Sequence, residues 1–315
     1  MKHLLTAIAS IAISSTVLAA QPLLSPAELS SSLSEPNVRV VDIRDPKSYD
    51  EGHIAGAVNA PYGQWRGPAA NPGELPELTA LTKLVQSIGL EPDTHAIIVS
   101  SGANDTDFGA AARVYWTLKV LGLDELSILN GGVKAWQGAN LPLQSGSISV
   151  TTSSFEPSID QTLITSRDQL VDVTSTPGSV RALLVDARPE GFFNGETRHT
   201  AAKVAGTLEG AVNVPHSLWF KPGTSEVVSQ EQAVSLARQH GLDKPDQEIV
   251  SFCNTGHWAA TNWFVLSELV GDDDVKLYAG SMVDWTQADQ ALPVQNAPGR
   301  LKQLWIDTKL WFETL

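Results

Sequence analysis

An internal repeat constrains the fold of this 315-residue chain more than any other feature. Segments of the first half recur in the same order about 150 residues further along. The corresponding pairs are Val40–Arg44 with Leu184–Arg188, Gly56–Pro61 with Gly210–Pro215, Ala96–Ser100 with Gln247–Ser251, and Leu129–Trp136 with Tyr278–Trp285. Four matches in one order indicate a duplication, so we expect two domains with the same architecture.

Each half alternates short apolar runs with segments of helical periodicity, a pattern typical of α/β domains. The expected elements are strands over 38–43, 95–100, 183–187 and 249–252, and helices over 108–121 and about 258–269. The sequence therefore predicts two tandem α/β domains, each a mostly parallel sheet flanked by helices.

Composition divides the chain further. We expect the first domain over 23–143, a linker with a Ser- and Thr-rich start over 144–160, the second domain over 161–295 and a helical tail over 296–315. Apolar residues recur at helical spacing in this tail: Leu301, Leu304, Trp305, Trp311, Phe312 and Leu315. We expect this helix to pack onto the body of the protein, and a partner-binding helix is the alternative.

Residues 1–19 predict a secretory signal peptide. Lys2 precedes an apolar run from Leu4 to Leu18, and the small residues after it suit cleavage following Ala19 or Ala20. An uncleaved membrane anchor is the alternative, although the run is short for a bilayer span. We therefore expect an exported, soluble protein in the periplasm, with no membrane association after cleavage.

The charge of the chain limits its partners. The formal net charge is -14, and removal of the signal segment with its Lys2 leaves 20 basic against 35 acidic residues, or -15. Such a chain is poorly suited to nucleic acid, which requires clustered Lys and Arg. Any anion site must then be a local concentration of basic side chains and backbone N–H groups.

Cys253 is the only cysteine, so it cannot form an intrachain disulfide. It directly follows a predicted strand and directly precedes a predicted helix. At that position the helix dipole and the loop N–H groups stabilise a thiolate, which suits a nucleophile. Gly256 permits the tight turn that such a loop needs. A buried structural cysteine is the alternative interpretation.

On these residues the chain resembles the rhodanese family, specifically its tandem-domain sulfurtransferases, over essentially the whole mature chain. The resemblance rests on Asp42–Arg44, Asp186–Arg188, Gly52–Pro61, the Cys253 loop and the Gly-Gly-x-x-x-Trp pattern ending at Trp136. It implies two rhodanese domains, of which only the C-terminal one is catalytic. The alignment of the halves places Gly102 opposite Cys253, so we expect the first domain to be structural and to form one wall of an interdomain site.

The resemblance also implies a mechanism. The Cys253 thiolate attacks the sulfane sulfur of a small sulfur-containing anion, sulfite or pyruvate leaves, and a persulfide remains on Cys253. Loop N–H groups hold the persulfide until a thiol, cyanide or a dithiol protein accepts the sulfur. No cofactor or metal is implied, and the seven His show no metal-ligand spacing.

Two arginines are candidates for binding the donor. Arg188 matches the family's substrate-binding arginine, with a structural ion pair to Asp186 or Glu190 as the alternative. Arg198 and Lys203 lie within ten residues that the second half has beyond the first. We expect Lys203 to be solvated.

The Cys253 loop supplies the other candidates for substrate binding: Asn254, Thr255, Gly256, His257 and Trp258. His257 either tunes the thiolate and holds an anion or simply packs in the loop. From the first domain, Trp65 and Arg66 are possible contributors across the interface, and packing is the expected role of Trp65.

The loop leaves the donor open. Thiosulfate-type family members commonly carry basic residues after the cysteine and mercaptopyruvate-type members a Gly-Ser-Gly sequence, and Asn254–Trp258 is neither. Thiosulfate is favoured because it suits an exported enzyme. A Cys-x5-Arg phosphatase is disfavoured, since residue 259 is Ala. An exported persulfide carrier or sulfur-anion binding protein without turnover is the alternative function.

Overall fold

The computed structural model of the protein describes residues 20–175, 182–244 and 247–313. The predicted signal segment 1–19 lies outside them. No helix in the described ranges has the length and apolar character needed to cross a bilayer.

Each half folds around its own parallel sheet. The strands are β1 (Leu23–Leu24), β2 (Val38–Asp42), β3 (Val58–Asn59), β4 (His95–Val99), β5 (Leu126–Leu129), β6 (Leu183–Asp186), β7 (Thr207–Leu208), β8 (Val212–Asn213), β9 (Ile249–Phe252), β10 (Val275–Leu277) and β11 (Val294–Gln295). The first sheet has the order β1-β5-β4-β2-β3 and the second β10-β9-β6-β8, while β7 and β11 pair antiparallel. The predicted fold class, two α/β domains with parallel sheets, is confirmed.

Helices cover the two faces of each sheet. They are α1 (Pro26–Ser32), α2 (Pro46–Glu51), α3 (Leu78–Ser87), α4 (Asp105–Val120), α5 (Gly132–Gly138), α6 (Arg167–Ser175), α7 (Glu190–Phe193), α8 (Gln230–Gln239), α9 (Trp258–Phe264), α10 (Ser281–Thr286) and α11 (Arg300–Glu313). The predicted helix over 258–269 is α9 followed by a π-helical segment, Val265–Val270. Alternate strand residues pack into different layers: Val41 contacts the core that contains α3 and α4, and Val40 the core that contains α1, α2 and α5.

The two domains share one hydrophobic core. Helix α4 of the first domain packs against α9 of the second. Phe108 of α4 makes edge-to-face contacts with Phe220 and Phe264, and the Tyr115 hydroxyl donates to Glu268 at 2.7 Å. Because one buried hydrophobic cluster contains residues of both domains, an apolar core spans the interface. This fixes the carboxyl ends of the two sheets next to each other.

The register of the sheets corrects one prediction. In the first sheet Asp42 pairs with Val99, and in the second Asp186 pairs with Phe252. The next residue is therefore Ser100 in the first domain and Cys253 in the second, so the predicted alignment of Gly102 with Cys253 is wrong by two residues. The helix N-termini agree, since Val133 N–H donates to the Ser100 carbonyl and Met282 N–H to that of Cys253. The sequence comparison failed because apolar strands match one another equally well after a shift.

The segment 145–160 runs irregularly along the first domain. Its Ser153 N–H donates to the carbonyl of Gln86 on α3, and its Asp160 N–H to the carbonyl of Val120 on α4. The predicted linker is thus fastened to the first domain by backbone hydrogen bonds.

The C-terminal helix α11 contacts the body by an unexpected face. Ile306 is buried, and Asp307 accepts hydrogen bonds from Arg198. The apolar residues named from the sequence point outward instead: Leu301 is 86%, Leu304 64%, Trp305 60%, Trp311 58% and Phe312 64% exposed. Leu315 lies outside the described residues. The expectation that this apolar stripe packs onto the body is therefore wrong, because the polar contacts of Asp307 and Gln303 and the buried side chain of Ile306 lie on the face that meets the body.

Candidate active site

Cys253 lies where strand β9 ends, five residues before α9 begins at Trp258. The strand Ile249–Phe252 is fully buried, and Cys253 itself is 1% exposed. Ligands bind parallel α/β sheets at the carboxyl ends of their strands. The thiol is thus at the functional end of the second sheet and is shielded from bulk water.

Gly256 gives the loop its sharp turn. Its φ is +66°, a conformation that other residues adopt only with strain. A Cβ atom there would lie 2.5 Å from the Ala279 carbonyl oxygen and 2.6 Å from an Arg113 guanidinium nitrogen. The predicted role of Gly256 therefore has two physical reasons, its backbone angle and the lack of space.

Ser281, at the start of α10, anchors the loop from below. Its Oγ accepts the N–H of Cys253 at 3.0 Å and that of Gly256 at 3.1 Å, and its hydroxyl donates to the Tyr278 carbonyl at 2.8 Å. Ser281 has φ +55°, and the equivalent residue of the first domain is Gly132 at φ +59°. A serine in a conformation that favours glycine is strained by about 1 kcal/mol or more. This strained conformation places the Ser281 hydroxyl against the loop, where it fixes the path of the loop backbone.

Three loop N–H groups remain available to a ligand. Those of Asn254, Thr255 and His257 make no hydrogen bond to any residue that the structure describes. Asn254 is 5% and Thr255 8% exposed, so these donors lie in a largely dry environment. Buried N–H groups without acceptors at the start of a helix are suited to an anion.

The first domain closes the site with a chain of hydrogen bonds. Arg66 donates to the Thr255 carbonyl at 2.8 Å and to the Tyr62 oxygen at 3.0 Å. The Tyr62 hydroxyl lies 2.8 Å from His257 Nδ1, and His257 Nε2 lies 2.8 Å from the Thr106 carbonyl oxygen. Since a carbonyl only accepts, Nε2 carries the ring proton and Nδ1 accepts from Tyr62. His257 therefore joins both domains as a neutral imidazole.

The electrostatics of the interface keep His257 uncharged. Desolvation in the interface, helped by the nearby Arg66, lowers the pKa of His257 from 6.5 to about 3. Burial also raises the pKa of Tyr62 above its ordinary value, so the phenol stays protonated and serves as a donor. These two groups orient the loop and carry no charge at neutral pH.

Arg113 is the second guanidinium that the first domain directs at the loop. It lies on α4, is 0% exposed, donates to the Gly73 carbonyl at 2.8 Å and lies 3.4 Å from that of Gly256. Its guanidinium stacks over the Trp116 ring at 4.9 Å. Both cations that reach the loop from across the interface, Arg66 and Arg113, belong to the domain without the cysteine.

Comparison with known proteins identifies this arrangement. The family described as "Rhodanese-like domain" matches the chain twice, over residues 25–139 and 166–288. The chain belongs to the rhodanese family. A putative thiosulfate sulfurtransferase of Mycobacterium tuberculosis is 30% identical over 269 residues, which cover 82% of this chain and 90% of the relative. The 3-mercaptopyruvate sulfurtransferase of Escherichia coli is 27% identical over 280 residues, or 85% and 95% of the two chains.

Solved structures agree on the fold. The 3-mercaptopyruvate sulfurtransferase SseA of Escherichia coli superposes with a TM-score of 0.70 at 24% identity, over 83% of this chain and 99% of that one. Tum1 of Saccharomyces cerevisiae superposes with a TM-score of 0.72 at 19% identity, over 88% and 99%. The curated relatives support sulfurtransferase activity, so the chain is a rhodanese-type transferase.

Arg188, the arginine that resembles a rhodanese substrate ligand, is engaged within the protein. Its Nε lies 2.9 Å from one carboxylate oxygen of Asp186, its Nη2 2.6 Å from the other, and its Nη1 3.3 Å from Asn254 Oδ1. Arg44 forms the same pair with Asp42 in the first domain, at 3.0 Å and 2.6 Å. A pair repeated in the domain without a nucleophile indicates a structural role, which is the alternative that the sequence had left open.

Arg198 is likewise engaged. Its Nε and Nη2 donate to Asp307 of α11 at 3.0 and 2.9 Å, and its Nη1 donates to the carbonyls of His199, Thr200 and Ala202. It therefore fastens the insertion of the second domain to α11. The Lys203 ammonium lies 3.4 Å from the Gln287 carbonyl at an exposed position.

The two tryptophans predicted near the site differ in position. Trp65 is 0% exposed and donates to the Ala60 carbonyl at 3.1 Å, so it belongs to the interior of the first domain. Trp258 begins α9, donates to the Thr106 hydroxyl at 3.2 Å and stacks on His216 at 4.9 Å. Trp258 thus contributes to the interface beside the loop, as does His257.

Sequence reasoning missed three residues of the site: Tyr62, Arg113 and Ser281. Arg113 was detectable as a charge in the middle of the apolar segment predicted as a helix over 108–121, whereas Lys119 lies near its end. Ser281 was detectable because the duplicated half has glycine at the equivalent position. Tyr62 gave no signal, since one polar aromatic residue after a strand is ordinary. Within the described ranges, no group of three or more His, Cys, Asp or Glu side chains is arranged to hold a metal.

Proposed function

We propose that the protein transfers a sulfane sulfur from thiosulfate to a thiophilic acceptor through a persulfide on Cys253. One observation carries the proposal: the only thiol of the chain lies at the carboxyl end of a parallel strand, in a loop with three N–H groups that lack acceptors within the described structure, those of Asn254, Thr255 and His257. A thiolate there is a nucleophile facing an anion-binding backbone.

The first half-reaction loads the enzyme. The Cys253 thiolate attacks the outer sulfur of thiosulfate, a bond forms between the two sulfurs, and the bond to the sulfonate sulfur breaks. Sulfite leaves with the electron pair, and the single negative charge of the thiolate passes to the terminal persulfide sulfur. The N–H groups of Asn254, Thr255 and His257 are the donors that we assign to that charge.

The second half-reaction restores the thiolate. Cyanide, a thiolate or a protein dithiol attacks the terminal sulfur, and the bond between the persulfide sulfurs breaks with its electrons returning to Cys253. Low exposure, 1% for Cys253, shields the persulfide from water and oxidants between the two steps. It also favours small donors over a protein-bound one.

Thiosulfate is the donor that we favour over 3-mercaptopyruvate. A keto acid offers a carboxylate that a bidentate arginine would hold. The two arginines predicted for this task are committed elsewhere, Arg188 to Asp186 and Arg198 to Asp307. Thiosulfate needs only diffuse positive potential and N–H donors. We further propose that the chain acts in the periplasm, on the basis of its predicted signal segment.

The proposal is tested by loading the purified mature protein with each donor and recording the intact mass. Wild type should gain one sulfur atom from thiosulfate, turn over with thiosulfate and cyanide, and load more slowly from 3-mercaptopyruvate. Cys253→Ser should neither load nor turn over. Absence of loading on wild type, or normal turnover of Cys253→Ser, overturns the proposal. Loading without turnover would instead make the protein a carrier.

A further inference from the structure

Arg113 is a buried charge that the reaction described above does not use. It lies in the middle of α4, and its side chain is fully buried between the domains. Its partners are neutral: the carbonyl oxygens of Gly73 and Gly256 and the ring of Trp116. The Nε–H of Arg113 has no acceptor among the described residues.

A buried guanidinium normally has a carboxylate partner. Removal of a charge from water costs several kcal/mol, which an ion pair or a set of good hydrogen bonds offsets. A second fully buried arginine, Arg188, follows this rule through Asp186. Arg113 forms no ion pair with any carboxylate in the described part of the chain. A candidate counter-charge for Arg113 is therefore a group other than a carboxylate.

The Cys253 thiolate is another anionic group that the fold brings to this part of the interface. The loop that starts at Cys253 passes over the guanidinium so closely that Gly256 has no room for a Cβ atom. Desolvation, helped by Arg66, lowers the pKa of Arg113 to about 9, and Tyr62 and Cys253 act in the opposite direction by favouring the charged form. Arg113 thus remains positive at neutral pH, when a thiolate would compensate it.

We propose that Arg113, carried by the domain that lacks the cysteine, is the buried counter-charge of the Cys253 thiolate and of the persulfide formed on it. The inference rests on the proposed function for its persulfide part only. It changes the role of the first domain, which supplies charge to the chemistry as well as a wall to the site.

The other ionisable groups around Cys253 do not replace Arg113. Two acidic ones are already paired, Asp186 with Arg188 and Asp284 with Arg167. The described structure also places Tyr62, His257 and Arg66 at the loop. The first two are neutral, and Arg66 is only partly buried, so solvent screens its charge more than that of Arg113.

Alkylation of the single thiol tests the inference without any sulfur donor. The rate of iodoacetamide reaction, followed by intact mass from about pH 5 to about pH 10, reports the thiolate fraction. Arg113→Gln keeps an N–H donor for Gly73 and removes the charge; we expect its profile to move up by about one pH unit or more and its rate at pH 7 to fall about tenfold. Arg113→Lys should retain most of the wild-type profile.

Arg39→Met is the matched control. Arg39 lies in the same domain and also has a buried Nε without a partner in the described structure, so its removal makes the same change in net charge away from the site. Its profile should match wild type. A profile of folded Arg113→Gln that superposes on wild type would overturn the inference and leave the proposed function intact. If wild type fails to load sulfur but Arg113→Gln shifts the alkylation profile, the proposed function is overturned and the role of Arg113 towards the thiolate stands.

If Arg113→Gln does not fold, the wild-type protein alone supplies a second test. A positive neighbour accelerates the anionic reagent iodoacetate relative to neutral iodoacetamide. We expect the ratio of the two rates for Cys253 to exceed that for free cysteine under the same conditions. An equal or lower ratio would overturn the inference.

Discussion

The two domains carry the same ion pair and a loop of the same length at the same end of their sheets, yet the loops are arranged for opposite charges. In the first domain Asp105 and Asp107 occupy the first turn of α4, and Asp107 accepts the N–H of Ala103 at 2.8 Å. In the second domain, the first turn of α9 has no acidic residue. Gly256, which is equivalent to Ala103, donates its N–H to the neutral hydroxyl of Ser281. We infer that the residues around the loop, rather than the shared scaffold, make the second domain the one suited to a thiolate.

The interface accentuates this difference. A cavity of about 290 Å³ opens beside Ser100, and the acidic side chains of Asp45 and Asp107 line it. Its one arginine, Arg44, is paired with Asp42. The side chains of Arg66 and Arg113, in contrast, extend from the first domain across the interface and contact the loop of the second. The two duplicated domains thus differ at their strand ends: the one at Ser100 is lined by acidic side chains, and the one at Cys253 receives arginine side chains from the other domain.

The largest effect is expected from the shared ion pair. Arg188→Met leaves the buried Asp186 carboxylate without a counter-charge, although the Thr207 hydroxyl still donates to it, and should lower the free energy of unfolding by about 3–5 kcal/mol, measured by urea denaturation. Arg44→Met should cost less, because the Arg44 side chain is 11% exposed against 2% for Arg188. A stable Arg188→Met protein with a raised KM for the donor would show instead that Arg188 binds substrate.

The next effect distinguishes Ser281 from its glycine counterpart. Ser281→Ala removes the hydroxyl that fixes the N–H groups of Cys253 and Gly256, so turnover with thiosulfate and cyanide should fall about tenfold. Ser281→Gly should lose the same activity yet regain stability, because glycine relieves the strain at φ +55°. Wild-type turnover in both variants would remove the hydroxyl from the account.

The stability of the protein should depend on pH through His257, which lies at the interface between the domains. Its pKa in the folded protein is about 3 against an ordinary value of 6.5, so between these pH values the unfolded chain binds the proton that the folded one refuses. The free energy of unfolding should therefore decrease as the pH is lowered through that window, by at most about 1.4 kcal/mol per pH unit. His257→Asn should lack this part of the slope in denaturation series at pH 4 to 7. Equal slopes would show that His257 is protonated in the folded state.

The smallest effect concerns Arg198. Asp307 is 42% exposed, so Asp307→Asn should cost less than about 1 kcal/mol of stability. The KM for thiosulfate should stay unchanged, measured in the same turnover assay, because Arg198 serves the contact with α11. A changed KM would return Arg198 to the donor site.

Much of the fold was predictable because duplication and apolar periodicity are local signals. Strand Ile249–Phe252 and the position of Cys253 between a strand and a helix followed from sequence alone. The partners of Arg188 and Arg198 did not, since a motif gives the residue type and not the carboxylate that a fold brings to it. The outward face of α11 was missed for a similar reason: periodicity finds an apolar stripe but not the side on which it lies.

The most direct test of the composite site is the sulfur gained on exposure to thiosulfate, read by intact mass for three proteins. Wild type should gain one sulfur atom, and Cys253→Ser none. Ser100→Cys in the Cys253→Ser background, which moves the thiol to the equivalent strand end, should also gain none, because Asp105 and Asp107 oppose a thiolate there. Loading of Cys253→Ser, or loading of the transplanted thiol at the wild-type rate, would contradict the account.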